Sequence, residues 1–198
     1  MDIATIYFEY TSSRGERTKR TVDAKAFGRN GFEGHCHLRN KQRTFYFQYM
    51  ENCIDTTTGQ IVGDILKFFG EKLKQYKCKT ATEEADRFFF LEHDFLLVLV
   101  YVGRLSSVLA KKKKMVIAEA CCELHGDKFV SFLDFDFLSN GFNFYNTEGE
   151  FEQALDNIVK EKDKKREIII KAAQKMAAIP KEPSKEKAMA EYLKKRLS

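Results

Sequence analysis

A change of hydrophobic period limits what this chain can fold into more than any other feature. Ile6, Phe8 and Tyr10 alternate with Tyr7, Glu9 and Thr11, and Phe45, Phe47 and Tyr49 alternate with Thr44, Tyr46 and Gln48. A period of two sends alternate side chains to opposite faces of a strand. Turn chemistry separates these runs: Ser12-Ser13-Arg14-Gly15 comes first, and Asn30-Gly31 follows. Gly15 is free to take positive φ, and Asn-Gly is a strong tight-turn pair. Residues Thr18 to Val22 return as a partner strand. Short strands punctuated by turns predict a small barrel or bent sheet over residues 1–58.

Beyond that point the spacing becomes helical. Ile61, Ile65, Phe68, Phe69, Leu73 and Tyr76 share one helix face, and Thr80 with Glu83 reads as a capping box before a helix over 82–91. Further helices are expected over 95–109 and over 112–124, the second stopping near Gly126. Thr147 with Glu150 forms a second capping box. It precedes one face carrying Phe151, Leu155, Ile158 and Val159 and another carrying Ile169, Ala172, Ala173 and Met176. Pro180 and Pro183 mark a break, after which Ser184 caps a last helix with Ala188, Tyr192 and Leu193. Residues 127–145 read either as a strand pair or as an irregular packed loop. The expected class is α+β: a β domain over 1–58, then a helix-rich domain over 59–198 with no flexible spacer.

Eighteen phenylalanines and no tryptophan mean a core built on Phe rings. The most apolar run, Phe95 to Val102, is far shorter than the ~20 residues that span a bilayer, so no membrane partner is expected. The start Met1-Asp2-Ile3 lacks a signal-peptide pattern. Five cysteines without framework spacing predict free thiols in a reducing, cytoplasmic compartment.

The most distinctive stretch is Gly34-His35-Cys36-His37-Leu38-Arg39-Asn40-Lys41-Gln42-Arg43-Thr44-Phe45. Together with Phe8-Glu9-Tyr10, Ser12-Ser13-Arg14-Gly15-Glu16 and Arg20-Thr21-Val22, it resembles the WYL domain across roughly residues 3–58. The resemblance implies an SH3/Sm-like small barrel of a kind that sits beside DNA-binding helices and acts as a sensor or regulator. It also implies a ligand site at Tyr10, Ser12, Arg20, His37, Arg39 and Arg43. The chain departs from the family pattern twice. Asn30-Gly31-Phe32 stands where the family has Trp-Tyr-Leu, and Gln48-Tyr49-Met50 where it has Asp-Arg-Ile. Val98 to Gly103, before a Lys-rich helix start, is similar to the helical tellurite-resistance TerB-like class, and no site is carried over from it.

Arginine offers a planar fork of donors suited to phosphate oxygens. Arg39 and Arg43 with His37 could hold a phosphate, with Tyr10 or Tyr46 as a stacking surface. The competing reading pairs these arginines with Glu33 and Glu16. Neither His35-Cys36-His37 nor Cys121, Cys122 and His125 has the spacing of a zinc site, so no metal or other cofactor is expected. No carboxylate dyad, phosphate loop or nucleophile elbow stands out. Lys111–Lys114 reads as the solvated start of a helix or as an anion-binding patch, and Lys160–Arg166 as an exposed helix face. The expected function is a non-enzymatic sensory or regulatory module binding a nucleic acid or a nucleotide. The alternative is a protein-interaction adaptor, or a homo-oligomer, working through the Phe-rich helical half.

Overall fold

The computed structural model of the chain describes residues 3–28, 30–105, 109–126, 147–161, 163–179 and 185–198. It is α+β, an antiparallel five-stranded sheet followed by seven helices among the described residues. The strands are β1 (Ala4–Thr11), β2 (Arg17–Gly28), β3 (Gly31–Cys36), β4 (Lys41–Tyr46) and β5 (Met50–Asp55), in the sheet order β4-β3-β2-β1-β5. The helices are α1 (Ile65–Gln75), α2 (Ala81–Leu91), α3 (His93–Arg104), α4 (Lys111–His125), α5 (Glu148–Val159), α6 (Asp163–Ala177) and α7 (Lys185–Leu197). The chain divides into two compact units, Met1–Leu91 and Glu92–Ser198.

In the first unit the period-two pattern becomes one buried face: Ile6 and Phe8 on β1, Val22 and Ala24 on β2, Phe32 and Cys36 on β3, and Phe45 on β4. The sheet is strongly bent. In a flat sheet, strands three places apart lie about 14 Å from each other. Yet Phe8 on β1 and Phe45 on β4 have ring centroids only 5.2 Å apart. Register shifts mark the bends, between Ala24 and Ala26 where β2 pairs with β3, and between Tyr7 and Glu9 where β1 pairs with β5. Two glycines let the strands approach: a Cβ on Gly31 would sit 2.2 Å from the Phe45 carbonyl oxygen, and one on Gly34 would sit 2.4 Å from that of Asp23.

Helices α1 and α2 belong to this unit. Phe69 of α1 packs on Phe27, Phe32 and Phe47, and Phe90 of α2 meets Phe27. The unit therefore ends at Leu91, where the sequence reading placed the division after residue 58. The reason is that one face of a five-stranded sheet needs cover, and the two nearest amphipathic helices supply it. Asp64 accepts from the Lys67 N–H and starts α1. Ile61, expected on that helix, instead bridges to Ile54 and is 81% exposed. Likewise, the expected strand through Tyr49 stops at Tyr46. Phe47–Tyr49 form a 3₁₀ turn that leads into β5, which the sequence reading did not separate. Gly31 is not the second residue of a positive-φ pair: it opens β3, paired with Gly28.

In the second unit α3 is the central element, buried from Phe95 to Val100, with α4, α5, α6 and α7 in contact with it. It ends at Arg104, short of the expected 109, and Leu109 packs onto Gly103, where a Cβ would lie 2.3 Å from its Cδ1. The Thr147–Glu150 capping box forms as read. At Thr80 the hydroxyl accepts from the Glu83 N–H, but the Glu83 carboxylate reaches the Lys79 N–H rather than closing a box on Thr80. The Lys111–Lys114 run is not uniformly solvated: Lys113 is buried, ion-paired to Glu186, and donates to the Gly103 carbonyl. The aromatic stretch 127–145 and the Pro180–Ser184 break lie outside the described residues.

Candidate functional site

Five of the six residues singled out from the sequence line one cleft of about 590 Å³ in the first unit: Tyr10, Ser12, Arg20, Arg39 and Arg43. Strand geometry explains how they meet. Arg20 stands two residues before Val22 on β2, and Arg43 two before Phe45 on β4, so both continue rows whose other members form the core. Tyr10 extends the Ile6-Phe8 row on β1 in the same way. The helices cover the Phe27–Phe32 end of this face, and the cleft occupies the end that carries the arginines.

Turns deliver the remaining groups. The Ser12 hydroxyl accepts from the N–H groups of Arg14 and Glu16 at 3.3 and 3.2 Å, and Gly15 takes φ +80°. Ser12 thus braces its own turn, and the turn sets Arg14 on the cleft. The Arg39 N–H bonds to the Cys36 carbonyl at 3.2 Å, with Asn40 in the left-handed region at φ 48°. This tight turn puts Arg39 and Arg43 on the same side.

His37 does not join them. Its Nε2 lies 2.8 Å from Asp23 Oδ2, while Thr5 Oγ1 donates to Asp23 Oδ1 at 2.8 Å. Asp23 alternates with Val22 and Ala24 and so faces away from the core, and His37 goes with it. Partial burial pulls the Asp23 carboxyl upward, but the hydrogen bonds from His37 and Thr5 outweigh it and hold the group below the usual carboxylate range.

The charge balance of the cleft is one-sided. It holds four arginines, Arg14, Arg20, Arg39 and Arg43, against one carboxylate, Glu16. Among the described residues, none of the four lies within ion-pair distance of a carboxylate. The pairing of Arg39 and Arg43 with Glu33 and Glu16 does not form: Glu33 accepts instead from the Thr44 hydroxyl at 3.5 Å. Arg17, close by in sequence, shows the ordinary outcome, sitting between Glu9 and Glu51 at 2.6 and 2.8 Å.

Arg20 is the unusual member. Only 7% of it is exposed. Its Nη1 lies 4.0 Å from the Cys36 sulfur, and its Nε has no hydrogen-bond partner. Burying a guanidinium without a carboxylate costs free energy that neither a thiol nor an aromatic wall returns. Buried Arg20 and Phe45 thus form the floor of the cleft. Exposed Arg14, Arg39 and Arg43 form its rim together with Tyr46, which is also exposed. Tyr10, Tyr46 and Tyr49 make an edge-to-face chain, with Tyr49 centroids 6.0 Å from Tyr10 and 6.4 Å from Tyr46. Sequence reasoning missed Arg14 and Tyr49 as site residues. Arg14 read only as part of a turn, and Tyr49 as one more position of a strand.

A second cleft of about 460 Å³ lies beside α1; its lining mixes Asp55, Asp64 and Glu71 with Lys67 and Lys72, and Lys72 pairs with Asp55 at 2.9 Å. Among the described residues, no group of three His, Cys, Asp or Glu side chains is placed to hold a metal ion. The five cysteines are all free. No described helix is long and apolar enough to cross a membrane. The chain matches no protein-family model, no curated protein and no solved structure in the comparisons made.

Proposed function

We propose that the first unit is a non-enzymatic sensory or regulatory module that binds a nucleic acid or a nucleotide in the arginine-lined cleft. One observation carries the reading: four arginines converge there, none within ion-pair distance of a carboxylate among the described residues, and one of them is almost wholly buried. Guanidinium forks bind phosphate oxygens in pairs, and the rim tyrosines offer faces on which a base can stack. The resemblance of residues 3–58 to the WYL domain supports the same ligand class.

The test is fluorescence anisotropy with single- and double-stranded oligonucleotides, and with labelled nucleotides, at two salt concentrations. The wild-type chain is expected to bind at least one of these with salt-dependent affinity. Replacing Arg39 and Arg43 together by alanine should weaken binding and, for a single strand, lower the slope of log K against log salt by about 1.4. Unchanged affinity and slope in the double variant would refute the reading.

A further inference from the structure

We infer that the cleft is selective for a terminal phosphate, the phosphomonoester end of a nucleotide or nucleotide chain, held at Arg20. The inference rests on the anion-binding reading above and adds which kind of phosphate is bound.

Floor and rim of the cleft differ in what can reach them. Arg14, Arg39 and Arg43 are exposed, so a phosphate anywhere along a strand can reach them. Arg20 is 7% exposed, with Nε unpartnered and Nη1 touching only the weak acceptor Cys36 Sγ. A group that satisfies Arg20 must enter the cleft end-on. An internal phosphodiester has chain leaving on both sides, one negative charge and two free oxygens. A phosphomonoester has chain on one side only, three free oxygens and a charge of about −1.5 to −2 near neutral pH. Only the second can descend to the floor without carrying two chain segments down with it, and it brings enough oxygens to face both Arg20 and a rim arginine. The attached sugar and base then lie at the level of the rim, where Tyr46 and Tyr49 provide ring surface.

The experiment measures the full chain against one short single-stranded sequence in three forms: 5′-phosphorylated, 3′-phosphorylated and hydroxyl-ended, each labelled at the opposite end. Competition by a nucleoside monophosphate and by its parent nucleoside is measured alongside. A phosphorylated end is expected to bind roughly tenfold or more tightly than the hydroxyl-ended strand, and the monophosphate to compete where the nucleoside does not. Competition by the monophosphate identifies a free nucleotide as sufficient. Its failure, with a phosphorylated strand still preferred, identifies a chain end. In Arg20→Met the ratio of phosphorylated to hydroxyl-ended affinity should fall to about one. Arg20→Lys, which keeps the charge and loses the fork, should give an intermediate ratio, and it serves if the methionine variant does not fold. Equal wild-type affinity for all three strands overturns the terminal-phosphate inference and leaves the anion-binding function standing. So does a ratio that survives in Arg20→Met. No binding of any probe overturns both.

Discussion

The ring of Tyr10 meets that of Phe45 edge-on, with centroids 5.3 Å apart and planes at 88°, although β2 and β3 lie between their strands in the sheet. This contact depends on the bend of the sheet, and the arginine cleft depends on the same bend. With the sheet flattened, Tyr10 and Arg20 would stand well away from Arg43, and there would be a basic surface rather than a cleft.

Arg20 offers the clearest separation of stability from binding. A buried guanidinium with no carboxylate partner is held at a desolvation cost, and an apolar side chain of similar length removes that cost. Arg20→Met is therefore expected to leave the unfolding free energy unchanged or to raise it by about 1 kcal/mol. Urea denaturation followed by circular dichroism measures this. A clear loss of stability would mean that Arg20 is a structural residue.

The glycines of β3 should be intolerant of even one methyl group. A Cβ at Gly31 would lie 2.2 Å from the Phe45 carbonyl oxygen, and one at Gly34 2.4 Å from the Asp23 oxygen, and neither backbone can yield without separating the strands. Gly31→Ala and Gly34→Ala are each expected to cost about 1–3 kcal/mol or more. Gly15→Ala, at φ +80° but in open space, should cost only about 1 kcal/mol. A thermal-melt series ranks the three, and a Gly15 effect larger than the other two would contradict the packing argument.

Acid should weaken the first unit through Asp55. Burial raises this carboxyl, but the bonds from Lys72 at 2.9 Å and from the Thr57 N–H at 2.9 Å outweigh it and hold it below its usual range. A carboxyl depressed in the folded state contributes stability that is complete above the unfolded value of about 3.9 and is lost as pH falls through the lower folded value. Stability measured from pH 6 downward should therefore decline as pH drops below about 4, and this component should be absent in Asp55→Asn. Lys72→Met should cost about 1–3 kcal/mol at neutral pH and shrink the acid limb.

In the second unit, Lys113 and Glu186 test a buried pair. Lys113 sits in the first turn of α4, where the helix dipole disfavours a cation, and it is nonetheless buried against Glu186 of α7. Lys113→Met takes the ammonium away from a buried carboxylate and is expected to destabilise by up to about 3–5 kcal/mol. Adding Glu186→Gln should recover much of that loss. A double variant as unstable as the single one would show that the charge is not the cause. Guanidinium denaturation of the three proteins measures the difference.

Much of the fold could be read in the linear chain because it rests on local chemistry. Alternation at Ile6, Phe8 and Tyr10 needs only a strand, the Thr147–Glu150 box needs only three residues, and Gly15 needs only its freedom at positive φ. These features name the elements, while the candidate arginines were singled out through the resemblance of residues 3–58 to the WYL domain. Tertiary structure decided how those pieces combine. Ile61 left its helical register because β5 offered Ile54 as a bridge partner, and Phe69 and Phe90 drew two helices into the first unit because the sheet's apolar face had to be covered. His37 lies away from the cleft because Asp23, on the opposite face of β2, holds it, whereas Arg20 lines the cleft through a bend that no single strand encodes. Curvature comes from contacts between residues far apart in sequence, such as Phe8 with Phe45. A pattern that records only near neighbours carries no term for them.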